Sequence, residues 1–272
     1  MAGRMDGKVV FITGAARGQG RSHALRLAEE GADIIAVDIC EAIPGVTAYE
    51  GATEEDLAET VRQVEALDRR IVAEQADVRD LARLKEVAST GVAELGGRLD
   101  GIVANAGIDI FNHWQDFTEE EFRTTIDINL VGVWHTVMAA APTMLEAGNG
   151  GSIVLISSAN GIKAGPFNVA YNASKFAVTG MAKSFAQEMG KDRIRVNFIH
   201  PGPVDTHMGQ VLTAFEKLAD DNPGIVSMLN TWLPDTFMQP REISNAVLYL
   251  LSDESSFTTG LSMAVDAGMS QY

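Results

Sequence analysis

Short β-branched apolar runs alternate with longer amphipathic stretches along the whole chain. Residues 9–13, 33–38, 70–76, 101–104, 152–157, 195–199 and 261–265 predict strands. Most of these runs are almost continuously apolar, as befits strands covered on both faces. The stretches 18–30, 54–68, 80–95, 119–147, 170–190 and 241–252 predict helices. Thr53-Glu54-Glu55-Asp56 and Thr118-Glu119-Glu120-Glu121 read as capping boxes with acidic first turns. Strand–helix alternation of this kind predicts an α/β fold: one Rossmann-like, doubly wound domain over 1–272, about seven parallel strands with helices on both faces. Two segments exceed what a minimal strand–helix unit needs. One is an insertion at 40–52. The other is 204–239, which carries Pro223, Pro234, Met208, Met228 and Met238 and is expected to cover a substrate as a lid.

Composition narrows the class. A chain of 272 residues, 46% hydrophobic, has ample length for a buried core. No stretch nears the roughly 20 apolar residues of a membrane span, and residues 1–8 lack a signal-peptide core. Cys40 is the lone cysteine, which fits a reducing cytoplasm. A formal net charge of −16 argues against a nucleic-acid partner.

The turn after the first predicted strand reads Thr13-Gly14-Ala15-Ala16-Arg17-Gly18-Gln19-Gly20. Its glycines let backbone approach a pyrophosphate, and the helix that follows aims free N–H groups at the anion. Asp38 ends the second strand, where a carboxylate accepts hydrogen bonds from an adenosine ribose and repels a 2′-phosphate, so NAD is favoured over NADP. Arg17 runs against this, since a cation there could welcome that phosphate unless it turns to solvent or to Asp38. Asp77 and Val78 follow the third strand and meet either the adenine or the start of a helix. Asn105-Ala106-Gly107 follows the fourth, with Asn105 equally suited to tying strand ends together and to touching the cofactor.

Tyr171-Asn172-Ala173-Ser174-Lys175 lies on a predicted helix, so Tyr171 and Lys175 share a face. A cation beside a phenol favours the phenolate and draws its pKa down from about 10. Ser158, at the end of the fifth strand, can hold a substrate oxygen; Ser157 is its competitor, and alternation allows only one of the two to face the site. Asn129, among apolar neighbours in 119–147, needs partners. Either it holds a water leading to Lys175 or it bonds backbone in the core. No His/Cys cluster has metal-ligand spacing, so no metal is expected. His113 and His200 read as loop and strand-end residues, and His207 stays open. Together the glycine turn and the Ser-Tyr-Lys set point to hydride transfer on an alcohol or ketone.

These residues resemble the short-chain dehydrogenase/reductase family over essentially the whole chain: Thr-Gly-x-x-x-Gly-x-Gly at 13–20, Asn-Ala-Gly at 105–107, Asn129, Ser158, Tyr171, Lys175 and Pro201-Gly202. The resemblance implies that Tyr171 is the general acid/base, Lys175 tunes it, Ser158 orients the substrate and Asn129 extends a proton relay. It also implies that Thr206, with the Val204 backbone, contacts the nicotinamide carboxamide. Ala104 departs from the family's common second Asn. The insertion 40–52 looks like the mycofactocin-associated branch, which includes carveol dehydrogenase-like enzymes and in which this segment hinders NAD exchange, so a redox carrier would re-oxidise the bound cofactor. The family resemblance and the wide apolar helix faces imply a homotetramer.

Ile108, Ile110, Phe111, Trp114, Ile162, Phe167, Met208 and Trp232 near the expected mouth suggest an apolar, terpenoid-like alcohol or ketone; core or subunit contacts are the competing use of these side chains. Two other readings stand beside this one. One is an NADP-dependent carbonyl or acyl-carrier ketoreductase with exchangeable cofactor, and the other is a catalytically silent NAD-binding regulator.

Overall fold

The computed structural model describes residues 3–271 except 211–214, 216, 221, 223, 226, 228, 229 and 236; Pro223 and Met228 lie outside the described residues. The strands are β1 (Val9–Thr13), β2 (Asp33–Asp38), β3 (Ile71–Gln75), β4 (Gly101–Ala104), β5 (Gly151–Ile156), β6 (Ile194–Pro201) and β7 (Ser262–Val265). They pair in parallel throughout, in the order β3-β2-β1-β4-β5-β6-β7. The described helices are α1 (Gly18–Ala28), α2 (Glu54–Glu65), α3 (Leu81–Glu94), α4 (Glu119–Ile126), α5 (Gly132–Ala147), α6 (Val169–Met189) and α7 (Pro240–Leu251). The seven-strand doubly wound sheet is the expected one.

Alternation along each strand splits the core in two. Val9, Phe11, Ile35, Ile102 and Ile153 face α3, α5 and α6, whereas Val10, Ile12, Ile34, Val103 and Val154 face α1, α2 and α7. Chain order reverses between β1 and β4, and a crevice opens at their carboxyl ends, where open α/β sheets bind ligands. Asn105 spans this point, its Nδ2 donating to the carbonyls of Thr13 at 3.0 Å and Gly14 at 3.2 Å.

Two expectations need correction. Residues 119–147 form a continuous helical run, long and apolar enough to cross a membrane by composition, where no stretch of that kind was expected. More than half of its apolar window is buried, against α3, α6 and the sheet. The run is also not uniformly α: Asp127–Val131 makes a π turn, in which the Gly132 N–H reaches back to the Asp127 carbonyl. A 3.6-residue periodicity conceals one widened turn, and such turns frequently occur at functional sites.

Both capping boxes form. The Thr53 hydroxyl accepts the Asp56 N–H at 3.1 Å, and Asp56 returns the bond to the Thr53 N–H at 2.9 Å. Thr53→Ala is expected to cost about 1 kcal/mol, read as a lower urea midpoint; an unchanged midpoint would show that α2 does not depend on its cap.

Candidate active site

Two adjoining cavities occupy the crevice. The first is lined by the glycine turn (Gly14, Arg17, Gly18, Gln19, Gly20), Asp38, Asp77, Val78, Asn105, Ala106, Gly107, Ile108 and the insertion residues Ile43, Val46 and Tyr49. The second is lined by Ser158, Tyr171, Lys175, Pro201, Gly202 and Val204 with Asp109, Phe111, Asn168, Phe215, Phe237 and Met269. Gln19, Asn105, Gly107, Thr206 and Met208 border both.

The first cavity is shaped for a dinucleotide. A side chain at Gly20 would overlap the Gly14 carbonyl oxygen, so the turn closes only with glycine there. No side chain caps the N-terminus of α1, which leaves its first-turn N–H groups for a ligand anion. Gln19 Oε1 is buried at this border without a hydrogen-bond partner among the described residues. The Asp38 carboxylate accepts the Ala16 N–H at 3.0 Å and the Cys40 N–H at 3.2 Å. Burial raises its pKa while those amides and Arg17 pull it down. Asp38 thus both faces the cleft and ties the turn to the insertion. Arg17 forms no ion pair with Asp38 within 4.0 Å among the described residues; its guanidinium donates to the Glu50 carbonyl and fastens the insertion to the turn. Asp77 pairs with Arg79 and does not cap α3, whose cap is Asp80.

The second cavity holds the reacting groups. The strand β5 ends at Ile156, so Ser158 lies beyond it and caps the short turn Ala159–Gly161, its hydroxyl accepting the Asn160 N–H at 3.1 Å. That corrects its expected strand position, and it lines the same cavity as Tyr171. The Ser157 hydroxyl instead donates to the Lys175 carbonyl at 3.0 Å and anchors α6. His200, buried at the end of β6, donates from Nδ1 to the Ser158 carbonyl at 2.7 Å and accepts from Ser262 at its Nε2, 2.9 Å away. The carbonyl can only accept, which fixes the tautomer.

Lys175 is 3% exposed. Its Nζ donates to the Ile156 carbonyl at 3.0 Å and lies 5.4 Å from the centre of the Tyr171 ring. Among the described residues it has no ion-pair partner within 4.0 Å. A side chain at Gly107 would come 3.5 Å from Nζ and 3.3 Å from Asn129 Oδ1, so glycine there gives both groups room. Burial pulls the Lys175 pKa down to about 8, opposed by Asp109. Burial, and then Asp109, push the Tyr171 phenol well above its ordinary value. Burial therefore outweighs any downward pull that Lys175 exerts on the phenol.

Asn129 bonds backbone. Oδ1 accepts the Ile108 N–H and Nδ2 donates to the Ile108 carbonyl, both at 2.8 Å. Of the two expected alternatives, the side chain takes the backbone-bonded one, in the core.

Of the side chains expected at the substrate mouth, Met208 and Phe111 line the second cavity. Ile108 lines the cofactor cleft, and Ile110 is buried in the core. Phe167 backs the wall, edge-on to the cavity-lining Phe215 at 5.4 Å. Ile162 is half-exposed, and Trp114 and Trp232 are 82% and 64% exposed and line neither cavity. The Thr206 hydroxyl accepts the Gly209 N–H at 3.3 Å at the border of the two cavities. His207 lies in the cofactor cleft and outside the reacting cavity. Asp109, Asn168 and Tyr49 are additions. A charged residue between Ile108 and Ile110 was the available signal, since a carboxylate in an apolar run is buried only for a reason.

Comparison with known proteins places the chain among NAD-linked oxidoreductases of the same fold. A family model described as enoyl-(acyl carrier protein) reductase matches residues 14–270. The chain is 42% identical over 275 residues to (−)-trans-carveol dehydrogenase of Rhodococcus erythropolis, covering 97% of this chain and 98% of that one. A solved short chain dehydrogenase from Mycobacterium paratuberculosis bound to NAD superposes with a TM-score of 0.97 at 53% identity, covering 99% of this chain and 100% of that one. Carveol dehydrogenase from Mycobacterium avium in complex with NAD gives 0.92 at 48% identity, with the same coverage.

The buried lysine has a pH signature. Its folded pKa of about 8 lies below the ordinary 10.5, so the unfolded chain holds the proton more tightly and burial costs stability fully below pH 8. That cost fades as pH rises toward 10.5. Lys175→Met should therefore raise the melting temperature relative to wild type more at pH 7 than at pH 10; a pH-independent difference would contradict the shift.

Proposed function

The chain belongs to the short-chain dehydrogenase/reductase family and is an NAD-dependent oxidoreductase, and from that premise we propose that it interconverts a secondary alcohol and a ketone on an apolar, terpenoid-like substrate of the carveol kind. The observation that carries the reading is the convergence of Ser158, Tyr171 and Lys175 on a cavity that shares five wall residues with the dinucleotide cleft. NAD, when bound, supplies the acceptor for the carbinol hydride. In oxidation, the Tyr171 phenolate takes the alcohol proton, Ser158 holds the substrate oxygen and the Lys175 ammonium stabilises the phenolate; reduction reverses these roles. Gly14, Gly18, Gly20, Asp38 and Thr206 are the proposed NAD contacts, with Asp38 selecting against a 2′-phosphate. Phe111, Met208, Phe215, Phe237 and Met269 form the apolar walls that favour a terpenoid skeleton.

In this reading 1–272 acts as one catalytic unit, with 204–239 supplying one wall of the substrate cavity. The insertion holds NAD in place, so turnover proceeds with bound cofactor re-oxidised by a redox carrier, as in the mycofactocin-associated branch. Its fastening supports this: Arg17 grips the Glu50 carbonyl, and the Tyr49 hydroxyl accepts the Asp109 N–H at 3.2 Å. Half-exposed apolar side chains on α4, α5 and α6, among them Phe122, Trp134 and Phe176, support a homotetramer. A cytoplasmic setting fits the lone buried thiol of Cys40.

Tyr171→Phe is expected to lower kcat for carveol oxidation by at least about 100-fold while NAD remains bound; wild-type turnover would remove Tyr171 from its role. Purified protein should carry stoichiometric NAD through dialysis, by mass spectrometry, and oxidise carveol with an artificial acceptor and no added NAD. Ready loss of NAD, or turnover only with added NAD, would identify an ordinary exchanging dehydrogenase.

A further inference from the structure

We propose that Asp109 reads a second hydroxyl on the substrate, so that the preferred substrate is an otherwise apolar alcohol or ketone bearing another hydrogen-bond donor. This rests on the oxidoreductase reading and narrows its substrate class. Asp109 is 6% exposed and supplies the one carboxyl group among the described residues that line the reacting cavity. It has no ion-pair partner within 4.0 Å among the described residues, although an unpaired buried carboxyl is costly to keep.

Its surroundings hold it in one place. Asn168 Nδ2 donates to its two oxygens at 3.2 and 3.4 Å. Asn172 Nδ2 donates in turn to Asn168 Oδ1 at 3.0 Å, and Asn172 is itself bonded to both the N–H and the carbonyl of Gly165. On the other side, the Asp109 N–H is bound by the Tyr49 hydroxyl. Two segments, 168–172 and the insertion, therefore hold in place a residue whose carboxyl oxygens offer about four acceptor positions. Asn168 is the one side-chain donor they meet among the described residues. Asp109 lines the cavity shared with Ser158 and Tyr171. Burial favours the protonated acid, while Asn168 and Lys175 favour the anion. Both forms keep an acceptor oxygen for a hydroxyl. A pocket with such a group favours a ligand that satisfies it over an analogue that leaves it unpaired.

The test measures calorimetric affinities of the NADH-loaded protein for cyclohexanol and for the isomeric cyclohexanediols, which scan the spacing of two hydroxyls on one apolar ring. At least one diol should bind about tenfold more tightly than cyclohexanol. Asp109→Leu should bring that ratio close to one. Asp109→Ala, which also removes the carboxyl group, should bring the ratio close to one as well, and serves alone if the leucine variant does not fold. No diol binding more tightly than cyclohexanol, or a preference that persists in the variants, would overturn the assignment. Turnover of the same ligands separates the two readings: a diol preference without oxidation upholds Asp109 as the recognition group and sinks the oxidoreductase reading for this ligand class.

Discussion

An ammonium group with no carboxylate in ion-pair range among the described residues lies in the protein interior beside a phenol. Everything else at the site makes that placement tolerable. Burying a cation costs free energy unless hydrogen bonds or charges compensate, and the ordinary response is to lose the proton. Lys175 shows that response, its pKa falling to about 8. The through-space field of Asp109 limits the fall, and the Ile156 carbonyl accepts one of the ammonium's N–H groups. A lysine poised near neutrality, within reach of a phenol whose own proton is held tightly, is sensitive to any charge brought into the cavity.

The fold supplies this poise through elements far apart in sequence. The end of β5 presents the Ile156 carbonyl, and the Ser157 hydroxyl holds the Lys175 carbonyl, so strand and helix grip the same residue from two sides. His200 on β6 fixes the backbone of Ser158. The π turn presents Asn129 to the Ile108 backbone, which sets the path of the segment carrying Asp109. The insertion joins in through Tyr49. One cavity wall is thereby mechanically continuous with the cofactor cleft.

Much of this is legible in the chain itself, and the illegible remainder has physical causes. Continuous apolar runs such as Val9–Thr13 and Asp33–Asp38 locate strands to the residue, because fully buried parallel strands tolerate little else. Capping boxes mark the starts of α2 and α4 because their side chains bond locally. Spacing places Tyr171 beside Lys175, since a helix fixes that relation. Long-range fields are not local, so the upward push on Tyr171 from burial and Asp109 is invisible to a motif. The π turn leaves the apolar pattern almost unchanged. Apolar residues of loops are interchangeable by composition, which is why Trp232 and Ile162 are by sequence as suitable for a cavity wall as Phe111 and Met208, and only the fold separates them.

The central claim is that the Lys175 ammonium governs the proton on Tyr171 once the site is loaded. Ultraviolet titration of tyrosinate in the NAD-loaded protein, with the Tyr171→Phe titration subtracted, isolates that one phenol. The account predicts that Lys175→Met moves its apparent pKa upward from the wild-type value. An unchanged pKa in the methionine variant would contradict it.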